Sequence, residues 1–92
     1  MKKLKIGLAF VGDRKMQELN KKYRKVDEPT DVLSFPYNED LPDGTYFLGE
    51  IVVNLDEVKG REAILERIVH GARNLLREAK ILNPRFEAPN KS

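Results

Sequence analysis

The stretch "IVHGARNLL" carries the one histidine of this 92-residue chain, His70, directly before a glycine. Histidine exchanges protons near neutral pH and is the commonest metal ligand. Asn74 follows one helical turn later and is its neighbour on a helix surface. Two histidines at that spacing share a metal in H-E-x-x-H helices, but an asparagine amide is a poor ligand for zinc. Gly71 is a second oddity, because glycine weakens a helix interior by roughly 1 kcal/mol relative to alanine. Taken alone, a single histidine on a polar helix face is usually just solvated. Taken alone, the glycine is a packing point where a strand or a second helix comes close.

A second chemistry-bearing stretch is "KKYRK". Lys21, Lys22, Arg24 and Lys25 cluster at the end of a helical pattern, where cations complement the helix dipole. "VDEPTD" follows, with Pro29 breaking the helix and Thr30 and Asp31 placed to bond nearby backbone groups. The chain has no cysteine, which excludes disulfides, thiolate zinc sites and a cysteine nucleophile. Lys plus Arg number 17 against 15 Asp plus Glu, a net charge of +2, so any argument for an anionic partner rests on where the cations cluster.

The elements that must position these residues follow from periodicity. "LKIGLAFVG" is apolar on both faces and reads as a strand in the middle of a sheet. Asp13 occupies the N-cap position of a helix whose stripe is Met16, Leu19 and Tyr23. "VLSFP" is a short second strand and "YNEDLPDGTY" a loop or wide hairpin turn. "FLGEIVVNL" is a third strand, with Gly49 at a bulge or close approach. A helix runs from Arg61 to about Lys80, its apolar stripe centred on Leu65, Ile68, Val69, Ala72, Leu76 and Ala79. His70 points away from that stripe, with Glu66, Arg73, Asn74 and Arg77 on its side. The first crossover should place strands one and two parallel, and the hairpin-like loop implies at least one antiparallel pair. The fold class is α+β, a small mixed sheet in the order strand-helix-strand-strand-helix. One domain is expected over residues 1–82, with a frayed tail over 83–92. The N-terminal apolar run is too short for a signal peptide or a membrane span.

Three stretches in this order, "LNKKYRKVDEPTDVLSFP", "LGEIVV" and "VHGARNLL", resemble the YbeY family of metal-dependent endoribonucleases. The family pattern is L-N-x-x-Y-R-x-x-D-x-P-T-D-V-L-S-F-P, then L-G-D-I-x-I, then H-G-x-L-H-L-L-G-Y-D-H. The first block matches from Leu19 to Pro36 almost without fault, and the resemblance covers roughly residues 4–76. It implies a cytoplasmic protein of ribosomal RNA maturation and ribosome quality control. The implied partner is ribosomal RNA or the small ribosomal subunit, with no membrane and no DNA. It also implies an arginine in the catalytic site, at Arg24, and a zinc held by three histidines. His70 matches the first ligand, Asn74 stands at the second, Lys80 at the third, and Glu50 replaces the family's aspartate.

One histidine does not hold zinc at useful affinity, since such sites take three or four protein ligands. No tightly bound cofactor is therefore expected. The leading expectation is a shortened, metal-depleted family member that contacts RNA through Lys21, Lys22, Arg24, Lys25, Arg73 and Arg77, with weak or no cleavage. The alternatives are an active single-strand endoribonuclease using Arg24 and His70, and an inactive relic or redesigned scaffold. A cleft shared by Arg24 and His70 favours the first two, and a filled cleft the third.

Overall fold

A computed structural model describes residues 3–79. Its order is β1 (Leu4–Val11), α1 (Asp13–Arg24), β2 (Val32–Asp40), β3 (Tyr46–Asn54) and α2 (Arg61–Arg77). The three strands form one mixed sheet in the order β1-β3-β2. β1 pairs with β3 in parallel, and β2 pairs with β3 antiparallel. This is the expected α+β class and element order. Lys80 and the tail over 83–92 lie outside the described residues.

The strand order corrects two expectations. β1 is an edge strand and not the middle one, and it runs antiparallel to β2 across the intervening β3. β3 takes the centre. Its Leu48, Ile51, Val52 and Val53 are all buried, and it is covered on both faces. Ile51, Val53 and Leu48 pack with Tyr46, Val58 and Leu75 under α2. Val52 packs with Met16 and Leu33 under α1. A strand apolar on both faces marks burial only when neighbours supply the cover, and β1 has a neighbour on one side only. Leu4, Ile6, Leu8 and Phe10 consequently remain exposed.

β2 is longer than expected, running on through Pro36 to Asp40. The strand survives the proline because the ladder with β3 is interrupted between Pro36 and Glu39, where Asn38 takes a left-handed φ of 55°. The turn proper is confined to the Pro-Asp-Gly segment, closed by Leu41 N–H donating to the Thr45 carbonyl at 2.9 Å. Gly49 is the close approach anticipated for it. Its φ is 153°, and a Cβ there would meet the backbone of Phe35 and Pro36 on β2.

Asp13 is not the N-cap of α1 but its first residue, with Gly12 in the cap position. The capping acceptor comes from another loop, as Asp13 N–H donates to Asp56 Oδ2 at 2.8 Å. At the other end Lys25 sits in the left-handed region at φ 63°, and the N–H of Val26 reaches back to the Asn20 carbonyl. This is a Schellman-type stop made without glycine.

α2 is rotated from the expected phase. The buried side is Gly71 and Leu75, with Ile64 and Ile68 packed beside them. Leu65, Val69 and Leu76, expected on the sheet, are each about half exposed. The cause is Gly71. Without a side chain it brings the helix against Ile51, and a Cβ at 71 would stand 2.8 Å from Ile51 Cγ2.

Candidate functional site

A polar cleft of about 500 Å³ opens between the end of α1, the edge of β2 and one flank of α2. Arg24 lines it from the last turn of α1, Thr30, Asp31 and Ser34 from the loop and β2, and His70, Asn74 and Glu78 from α2. Arg24 and His70, 46 positions apart in sequence, thus share one solvent-open space. The Schellman stop fixes where the α1 backbone leaves Arg24. Asn20 Nδ2 donates to the Glu28 carbonyl at 2.8 Å and draws the following loop back along the helix.

His70 is exposed, as its place opposite the packed face requires. Its Nε2 lies 3.4 Å from Asn74 Nδ2. Asn74 Oδ1 in turn accepts from Arg77 Nη1 at 2.9 Å. The amide thus presents N–H groups toward the imidazole and spends its oxygen on a guanidinium. Its one atom with any ligand character is turned away from His70. Among the described residues no three histidine, aspartate, glutamate or cysteine side chains converge on one point. The described donor set does not fit the three or four ligands zinc takes.

Asp31 accepts from Arg67 Nε at 2.6 Å. Partial burial pushes the Asp31 carboxyl up, but the hydrogen bond and charge of Arg67 outweigh it and hold the group below the usual carboxylate value. This carboxylate lines the cleft, so Arg67 offsets a negative charge that would otherwise oppose an anionic ligand. Sequence reasoning missed Arg67. Its signal was its position three residues before His70, on the flank bordering the packed face.

The Asp31 backbone carbonyl accepts from Asn54 N–H at 2.9 Å. Asn54 is fully buried. Its Nδ2 donates to Asp13 Oδ1 at 2.7 Å and to the Thr30 carbonyl at 3.1 Å, and its Oδ1 accepts from Asp56 N–H at 2.9 Å. One side chain thus ties the start of α1, the cleft loop and the end of β3. No apolar periodicity marks such a residue.

The remaining predicted cations are not gathered in the cleft. Lys21, Lys22 and Lys25 are exposed along α1, with Lys21 Nζ 3.9 Å from Asp27 and Lys22 Nζ lying 5.2 Å from the Tyr23 ring centre. Arg73 projects outward from α2, away from the sheet, and Arg77 touches the site only through Asn74. Consecutive residues on a helix point 100° apart, so a run of cations in sequence spreads around the cylinder. The structure brings together Arg24, His70 and Asn74, with Arg77 behind.

A family model described as Endoribonuclease YbeY matches residues 1–75. Curated relatives named Endoribonuclease YbeY include one from Thermodesulfovibrio yellowstonii, 56% identical over 55 residues, covering 60% of this chain and 35% of that protein. Another, from Aquifex aeolicus, is 37% identical over 82 residues, covering 79% of this chain and 54% of the relative. A third, from Treponema denticola, is 36% identical over 88 residues, with 82% and 57% covered. The chain spans between about a third and somewhat over half of the length of these relatives.

Proposed function

Because this chain belongs to the YbeY endoribonuclease family, we propose that it is a cytoplasmic RNA-contacting protein of ribosomal RNA maturation whose cleft seats a phosphate between Arg24 and His70, with weak or absent cleavage. The observation that carries this reading is the shared cleft of those two residues. A guanidinium grips phosphate oxygens with two parallel donors, which a lysine does not do. The Asp31–Arg67 pair keeps the cleft wall from repelling an anion. The partner is ribosomal RNA or the small subunit, bound mainly through phosphates and therefore in a salt-sensitive and weakly sequence-specific way.

The family is zinc-dependent, and zinc supplies a hydroxide at neutral pH where it is held. The donor set around His70 does not fit that ion, so no step is routed through it here. The second reading is an active single-strand endoribonuclease in which Arg24 stabilises charge on the reacting phosphate and His70 moves a proton. The same open cleft favours it over an inert relic.

The test is titration of a labelled single-stranded RNA at low and moderate salt, with its integrity followed over hours. Weak binding that falls steeply with salt is expected, with a larger loss for Arg24→Ala than for Lys22→Ala. No binding at low salt would leave only the relic. Multiple-turnover cleavage abolished by Arg24→Ala or His70→Ala would establish the active enzyme instead.

A further inference from the structure

Among the described residues, most of the exposed large apolar side chains fall on one face. Leu4, Ile6, Leu8 and Phe10 of β1 are between 37% and 48% exposed. The register with β3 sets Leu8 opposite Ile51 and Phe10 opposite Val53, and both of those lie in the cluster under α2. The exposed side chains of β1 therefore project from the same side of the sheet as α2. α2 covers β2 and β3 and stops short of β1. On α2 itself, the His70–Asn74 flank looks toward β2. Leu65, Val69 and Leu76 stand on the opposite flank, over β1, between 48% and 52% exposed. The result is a dry step whose floor is β1 and whose riser is the side of α2.

We propose that a second copy of this chain covers the step, the α2 flank of each copy resting on the β1 floor of the other. A step of this shape is complementary to itself when one copy is turned over on another, the isologous contact of a two-fold dimer. Floor positions 4, 6, 8 and 10 and riser positions 65, 69, 72 and 76 are all apolar. Nothing on the step would attract a nucleic acid or complement a charged partner. The exposed members together offer roughly 600 Å² per chain, hence roughly 1,200 Å² for two copies, the lower bound for a specific, stable interface. It is also at the top of the range for the largest apolar patch on a monomer. The Arg24–His70 cleft lies on the other flank of α2, so the dimer leaves it open.

Sedimentation velocity on the whole 92-residue chain, from about 1 μM to several hundred μM, reads the equilibrium directly. A reversible monomer–dimer transition is expected, weakened at least tenfold by Leu8→Lys and separately by Val69→Lys. Tyr37→Lys, an equally exposed apolar change away from the step, should leave it unmoved. Circular dichroism checks that each variant is folded. The chain lacks cysteine, which allows a second, geometric measurement with gentle variants. Leu8→Cys mixed with Val69→Cys should oxidise to the mixed disulfide faster than either pairs with Tyr37→Cys. A monomer at every concentration overturns the proposal. So does a dimer indifferent to both step variants, an open-ended series of oligomers through the free β1 edge, or a mixed disulfide no faster than the Tyr37→Cys controls.

Discussion

Gly71 of α2 lies directly against the fully buried Ile51 of β3, with room there for a hydrogen and not for a methyl group. Gly71→Ala sets a helix-propensity gain of about 1 kcal/mol against overpacking on three atoms of Ile51, which costs typically 1–3 kcal/mol. A net loss of about 1 kcal/mol is expected in urea unfolding. Adding Ile51→Val should recover part of it, because the valine withdraws the nearest atoms. A Gly71→Ala protein more stable than the parent would contradict this packing.

Asp31 and Arg67 should leave a mark on the acid limb of stability. The folded Asp31 carboxyl sits below its ordinary value of 3.8, so the folded state holds the proton less tightly than the unfolded state. The pair's contribution is present in full above pH 3.8 and is lost as pH falls through the depressed folded value. Both side chains are more than a third exposed, and solvent screening keeps the contribution under about 1 kcal/mol. Urea midpoints of the parent and Asp31→Asn should differ at pH 7 and converge well below pH 4.

Asn54 makes the largest single polar contribution expected of any described side chain. Asn54→Ala removes three side-chain hydrogen bonds and leaves buried groups without partners, at about 2–4 kcal/mol. Denaturant unfolding measures the loss. Asn54→Asp should be at least as harmful at pH 7 and partly recover on acidification, because it sets a carboxylate where Asp13 Oδ1 now accepts a hydrogen bond.

Lys25 stops α1 with a φ of 63°, a conformation that suits glycine and strains other residues. Lys25→Gly should raise stability by about 0.5–1 kcal/mol with no change in secondary structure, read as a shift in the urea midpoint at constant slope.

His70 has an amide N–H where a second ligand would stand. Calorimetric titration with Zn²⁺ should show weak binding by the parent chain. Asn74→His should tighten it while remaining far short of a three-histidine site, since two imidazoles one turn apart still leave the ion short of protein ligands. One zinc per purified chain that survives mild chelation would overturn the account of a depleted site.

Much of this molecule is legible locally. Alternation and apolar runs mark the three strands, and Pro29, Asp43-Gly44 and Gly49 mark where the chain turns or is crowded, because φ restrictions and side-chain size act within a few residues. Arg24 and His70 stand out by type and by the long motif around them. β1 was misplaced because apolarity on both faces records what a strand could bury and not which neighbours it has. The edge position follows from the pairing of β3 with both other strands.

The phase of α2 shows the same division in one helix. Positions 64, 68, 71 and 75 and positions 65, 69, 72 and 76 are two adjacent stripes, and the second is the more hydrophobic by residue type because the first contains a glycine. Helical periodicity determined that a helix forms and that His70 points away from its packed side. Which stripe meets the sheet was decided by tertiary contact, since Gly71 permits the closest approach to Ile51 and so draws its own stripe inward. The same contact carries Arg67 to Asp31 and His70 to the cleft of Arg24. A helix can be specified by its own residues, but its rotation depends on the shape of the surface it lands on.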